Sequence, residues 1–222
     1  MQGGVIVETS VYGKGSKIAL LLHGVASSAS TWKTLVNDLL KHDYTVYTPD
    51  FPGHGASGSL RGTYNIEQWE SLLLDRIEKV DLLIGHSVGG LIALRSRNKL
   101  KAVKTVVIDP LLRFPKGPLQ LISQEVFGIQ QMKMLRSGPE WLRTELAVWD
   151  RKTVRMLITP KKIPMPDESV LLIRPKNSFI SPLVLMNMAP KMKVVTFKNV
   201  GHNLHMEDYP RFFKELEGFA LS

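Results

Sequence analysis

The chain has 222 residues, 44% of them hydrophobic, a size that fits one well-buried core and is short for two. It contains no cysteine, which excludes a disulfide framework, a cysteine nucleophile and thiolate sites for zinc or iron–sulfur clusters. Its net charge of +9 comes from basic residues scattered without a block of five or more, so they read as solvated surface and no nucleic-acid partner is expected.

The start, MQGGVIVETS, lacks the basic-then-apolar layout of a signal peptide, and no apolar run approaches the roughly 18 residues of a membrane helix. A cytoplasmic protein with no membrane span is the expectation. A first strand is expected around VIVETSV, adding antiparallel at one edge of a sheet because only the short GKGS turn separates it from the next apolar burst. The bursts IALLL (18–22), YTVYTP (44–49), VDLLIG (80–85), VKTVVI (103–108), SVLLI (169–173) and KVVTF (193–197) are short, rich in β-branched residues and bounded by turn formers, as buried strands are. Between them TWKTLVNDLLK, NIEQWESLLLDRIEK and GGLIALRSRNKL space their apolar residues as helices do. Strands alternating with helices predict an α/β fold: one domain over 1–222, built on a mostly parallel central sheet covered by helices on both faces. After Asp109 the rhythm stops for about sixty residues of helix-like pieces cut by Gly and Pro, which predicts a helical cap or lid inserted at 111–167, with Trp141 and Trp149 available to line an apolar pocket.

The stretch GHSVGG (85–90) lies where a buried strand ends and a helix begins. In G-x-S-x-G the glycines remove side chains that would clash as a strand turns sharply into a helix, leaving the serine hydroxyl exposed at the carboxyl end of the sheet. Gly85-His86-Ser87-Val88-Gly89 satisfies that pattern in the strand-to-helix context it requires, and the helix N-terminus supplies free N–H groups suited to an oxyanion. Ser87 is therefore the candidate nucleophile, and it needs a base. His202, in KNVGHNLHMEDYPRFF, follows the last strand and so belongs on the same sheet edge as Ser87. His205 lies beyond the turn and is expected to pack at the final helix, and His86, adjacent to Ser87, should point to the other face.

Four landmarks in order, LLLHGVASSASTW (20–32), PDFPGHGAS (49–57), GHSVGG (85–90) and VGHNLHMEDYPRFF (200–213), make the chain resemble the α/β-hydrolase fold proteins of the esterase, lipase and carbon–carbon hydrolase type over essentially its full length. The resemblance implies an oxyanion hole from the backbone N–H groups of Val25 and Val88, no cofactor and no metal, and structural roles for His23, Gly24, Asp50 and His54. In most such proteins the triad acid follows the strand before the histidine strand. Here that loop reads LLIRPKNSFISP, with Asn177 where aspartate is expected; an amide can orient a histidine but carries no charge. A second acid position known in the fold, after the strand that follows the nucleophile helix, holds Asp109 in VVIDP, in the manner of pancreatic-type lipases. Asp150 falls in the insertion, and Asp167 and Glu168 precede a strand, on the wrong edge. The expectation is thus a Ser87–His202–Asp109 triad acting on a small-molecule carboxylic ester or related acyl compound. A carbon–carbon hydrolase or acyltransferase, or a non-catalytic small-molecule binder on the same scaffold, remains the alternative.

Overall fold

The computed structural model describes residues 7–25, 27–57, 66–74, 77–112, 163–178, 180 and 182–221. Residues 113–162 of the insertion expected at 111–167, with Trp141, Trp149 and Asp150, lie outside the described residues. Seven strands form one sheet in the order β1-β3-β2-β4-β5-β6-β7. They are β1 (Thr9–Tyr12), β2 (Lys17–Leu22), β3 (Tyr44–Pro49), β4 (Leu82–His86), β5 (Lys104–Ile108), β6 (Val170–Pro175) and β7 (Lys193–Phe197). The connecting helices are α1 (Lys33–Lys41), α2 (Ile66–Leu74), α3 (Val88–Ser96), α4 (Pro182–Met188), α5 (Leu204–Glu207) and α6 (Tyr209–Leu216).

All strand pairs are parallel except β1 with β3. The edge position and direction of β1 match expectation, but its neighbour is β3, not the strand across the GKGS turn. Both sides of β2 are taken, by β3 and by β4, so the turn carries the chain past a neighbour instead of closing a hairpin.

Period-two alternation divides the core between the faces of the sheet. Leu20, Leu22, Leu83, Val107 and Leu172 point to one side, where Trp69 and Leu73 of α2, Leu91 and Ile92 of α3 and Val184 and Met188 of α4 cover them. Ala19, Leu21, Ile84, Val106, Ile108 and Ile173 point to the other, under Leu35 and Leu39 of α1 and Phe212 and Leu216 of α6. The central strands β2, β4, β5 and β6 therefore need apolar residues at successive positions, which is why those bursts read as continuous runs.

α2 and α3 are also joined by Arg95, whose guanidinium reaches both carboxylate oxygens of the buried Glu70, at 2.9 Å for Nη2 to Oε2. None of the described helices is long and apolar enough to cross a membrane. From β2 the chain moves first to β3 on one side and then to β4 on the other. A crevice outside the carboxyl ends of the strands opens at such a switch point.

Candidate active site

β4 ends at His86 and α3 starts at Val88, leaving Ser87 alone at the bend with φ 55° and ψ −117°. A positive φ is strained for a residue with a Cβ, and it persists because the surroundings hold both ends of the peptide. The Ser87 N–H donates to the Ile108 carbonyl at 2.9 Å, and the Ser87 carbonyl accepts from Leu91 and from Leu111, each at 3.1 Å. Glycine is required at 89 because α3 starts hard against the end of β2: a Cβ there would stand 2.3 Å from the Leu22 carbonyl oxygen and 2.5 Å from that of His23. Gly24 lies equally close to the bend, where a Cβ would come within 3.1 Å of the Ser87 Cβ. The segment carrying Val25 and the first residue of α3, Val88, thus flank Ser87. The N–H groups of the first helical turn have no acceptor inside the helix and carry its partial positive charge.

His202 occupies the loop between β7 and α5, and Asp109 the first position after β5. The topology brings them together: His202 Nδ1 donates to Asp109 Oδ2 at 2.7 Å, with the carboxylate wholly buried and the imidazole side chain 29% exposed. With Nδ1–H committed to the carboxylate, the neutral ring keeps its lone pair on Nε2. Asp109 also has positive φ, 38°, and its N–H donates to the Ile173 carbonyl at 2.9 Å. Backbone strain therefore falls on two of the three residues singled out from the sequence.

The model of one family, described as the alpha/beta hydrolase family, matches residues 19–216. The chain belongs to that family. Among curated proteins it is similar to the pimeloyl-[acyl-carrier protein] methyl ester esterase of Proteus mirabilis, 30% identical over 102 residues, which are 44% of this chain and 39% of that protein. The chain spans 39–40% of the length of the curated relatives it matches first. Among solved structures, an esterase from Exiguobacterium antarcticum superposes with a TM-score of 0.72 at 17% identity, covering 99% of this chain and 97% of that one. The 2-hydroxy-6-oxo-6-phenylhexa-2,4-dienoate hydrolase from a Rhodococcus strain superposes at 0.65 and 18% identity, covering 98% and 95%. At such identities the superpositions speak for the fold.

In this member of the family the remaining buried histidines are held neutral. His23 Nδ1 donates to the Gly24 carbonyl at 2.7 Å while Nε2 accepts from the Phe51 N–H at 3.0 Å, an arrangement only the neutral ring allows. Burial and the neighbouring His54 push its pKa down to about 3, so the 3.8 Å approach to Asp50 is not an ion pair. Asp50 instead accepts from the N–H groups of Ala29 and Ala56, at 2.6 and 2.9 Å, tying the loop after β2 to the loop after β3. His54 donates to the Pro52 carbonyl at 3.1 Å and is lowered by burial to about 4. His205 packs on His86 and Trp32 with ring centroids 4.6 and 4.9 Å away, away from the Asp109 carboxylate, and burial lowers it to about 3.

Two contacts to the histidine and its acid, and one to the residue before the histidine, were not legible in the motif. His86 Nε2 donates to the His202 carbonyl at 3.0 Å, and the two rings pack at 4.5 Å; burial, with His205 and His202 beside it, holds His86 well below the usual imidazole range. Glu207 Oε2 accepts the Gly201 N–H at 2.5 Å, fastening the loop one residue before His202. Ser178 donates to Asp109 Oδ1, while Asn177, at the position where aspartate is expected, is exposed. Asp167 faces Arg97 at the opposite end of the sheet, at 2.8 Å, and that guanidinium holds its carboxyl well below the usual range. The one sequence signal for Ser178 was its place in the loop that lacks the usual acid.

Proposed function

We propose that the protein is a serine hydrolase that cleaves a carboxylic ester or a related acyl compound through an acyl-enzyme. Ser87 attacks the carbonyl as His202 Nε2 removes its proton, and Asp109 holds the Nδ1–H and stabilises the imidazolium so formed. The N–H groups of Val25 and Val88 receive the oxyanion; one donor in such a hole contributes about 3 kcal/mol. His202 then returns the proton to the leaving alcohol. A water molecule, deprotonated by the same Nε2, releases the acid and restores Ser87.

The observation that carries this reading is the 2.7 Å bond from His202 to a wholly buried Asp109 on the sheet edge where the strained Ser87 also stands. A buried carboxylate aimed at a partly exposed imidazole is what a general base needs to be oriented, and this supports catalysis over binding alone. Membership of the hydrolase family accommodates both ester and carbon–carbon bond cleavage, and the methyl ester named for the Proteus relative supports the ester.

The test is intact mass after exposure to a fluorophosphonate, with Ser87→Ala alongside. One adduct on the wild-type chain and none on the variant is the expected result, and hydrolysis of p-nitrophenyl esters of graded acyl length then ranks substrates. A folded wild-type chain that takes up no adduct would overturn the assignment.

A further inference from the structure

A carboxylate turns about its last side-chain torsion in a broad, two-fold well, so one hydrogen bond to His202 does not fix the plane in which the charge is presented. Asp109 is wholly buried, and bulk water does not supply the second contact. Its other oxygen, Oδ1, accepts instead from the hydroxyl of Ser178, in the loop after β6.

We propose that Ser178 is a positioning residue: its hydroxyl holds the Asp109 carboxylate in register with His202, so the loop after β6, whose own Asn177 is exposed and uncharged, serves the acid by donating to it. This rests on the serine-hydrolase reading above. The hydroxyl has one orientation open to it. The Ile180 N–H can only donate, and it reaches Ser178 Oγ at 3.2 Å; the Asp109 carboxylate can only accept, so the hydroxyl hydrogen points at Oδ1. The loop is anchored at its root, where the Lys176 N–H donates to the Phe197 carbonyl at 2.9 Å and Arg174 donates from Nη2 to the Lys176 carbonyl at 3.0 Å and from Nε to that of Pro175 at 3.2 Å.

Pro175 is accommodated at the same root. It stands opposite Phe197 of β7 in the register. The loop thus carries a directed donor to the far side of the acid. The contact is worth most when Asp109 must face a charged imidazolium, as in the transition state of acyl transfer.

The experiment compares Ser178→Ala, Ser178→Val and Ser178→Thr, alone and combined with Asp109→Asn. The readouts are p-nitrophenyl butyrate hydrolysis and the rate of fluorophosphonate labelling, with thermal unfolding as the check on folding. Loss of a hydrogen bond to a charged group predicts kcat about 10- to 100-fold lower for Ala and Val with KM within about twofold of wild type. Thr, isosteric with Val and carrying the hydroxyl, recovers to within about threefold. In the Asp109→Asn background Ser178→Ala brings no further loss, because the two residues act as one unit. Val equal to Thr, or losses that multiply across the double variant, would refute the role of Ser178 while wild-type labelling left the hydrolase reading standing. A folded wild-type chain that neither labels nor hydrolyses would remove both.

Discussion

Replacing Asp109 by asparagine removes one negative charge from a wholly buried position and leaves the shape unchanged. In the proposed triad the lost interaction is that of the carboxylate with the imidazolium created as Ser87 gives up its proton. Nδ1 and Oδ2 stand 2.7 Å apart, which puts the charge centres roughly 4 Å from each other; with an effective dielectric near 20 the attraction is about 4 kcal/mol, or roughly a thousandfold in rate. A second effect acts in the same direction. Because Ser178 donates to the oxygen side, it keeps the amide oxygen of an asparagine facing itself and turns the NH2 toward His202. Nδ1 must then accept, the ring proton moves to Nε2, and the base is blocked; such a tautomer trap costs about ten thousandfold in a comparable triad. The expected outcome is kcat/KM for p-nitrophenyl butyrate at least a thousandfold below wild type, with fluorophosphonate labelling slowed in parallel and the thermal midpoint within a few degrees. An Asp109→Asn chain retaining more than about a tenth of wild-type turnover, while Ser87→Ala is inactive, would refute the assignment of the acid.

Three further outcomes follow from the same geometry. His23, His54, His86 and His205 are buried with pKa values below the free imidazole, at about 3, about 4, well below the usual range and about 3 respectively, so the unfolded chain binds more protons than the folded one once the pH drops below about 6.5. Their contribution to stability is complete above that pH and is lost as it falls toward 4, at about 1.4 kcal/mol per pH unit for each histidine. Urea unfolding between pH 7.5 and 4.5 should show this slope, and stability constant down to pH 4.5 would contradict it. Gly89→Ala drives a Cβ into the backbone carbonyls of Leu22 and His23, which cannot rotate away; a loss of more than about 2 kcal/mol by denaturant titration is expected, together with most of the proposed hydrolysis of p-nitrophenyl butyrate. His86→Phe keeps the packing against His202 and His205 but removes the donor to the His202 carbonyl, and kcat should fall about 2- to 10-fold with KM unchanged, as steady-state kinetics would report.

The parallel sheet, the bend at Ser87 and the edge on which His202 stands were legible in the sequence because each is specified locally. Continuous apolar runs mark strands buried on both faces, and glycines on either side of a serine mark a turn where a Cβ has no room, as the carbonyls of Leu22 and His23 beside Gly89 bear out. Chain order then does the rest, since every loop after a parallel strand emerges at the same edge. The neighbour of β1 was not legible, because proximity across the GKGS turn favours β2 and only the assembled sheet, with β3 and β4 on either side of β2, leaves β3 as the open edge.

The same distinction separates the two halves of the proposed site. The serine and its bend belong to one short segment. The acid does not: Asp109, Ser178 and His202 come from loops after β5, β6 and β7, separated by 69 residues between the first two and by 93 between the first and last. A D-P pair in isolation ends a strand, and an S in a loop of mixed polarity signifies nothing by itself. Each acquires its chemistry only when three parallel strands lie side by side and their carboxyl ends converge, because a buried carboxylate draws its meaning from the groups that surround it. The tertiary structure alone decides which those are.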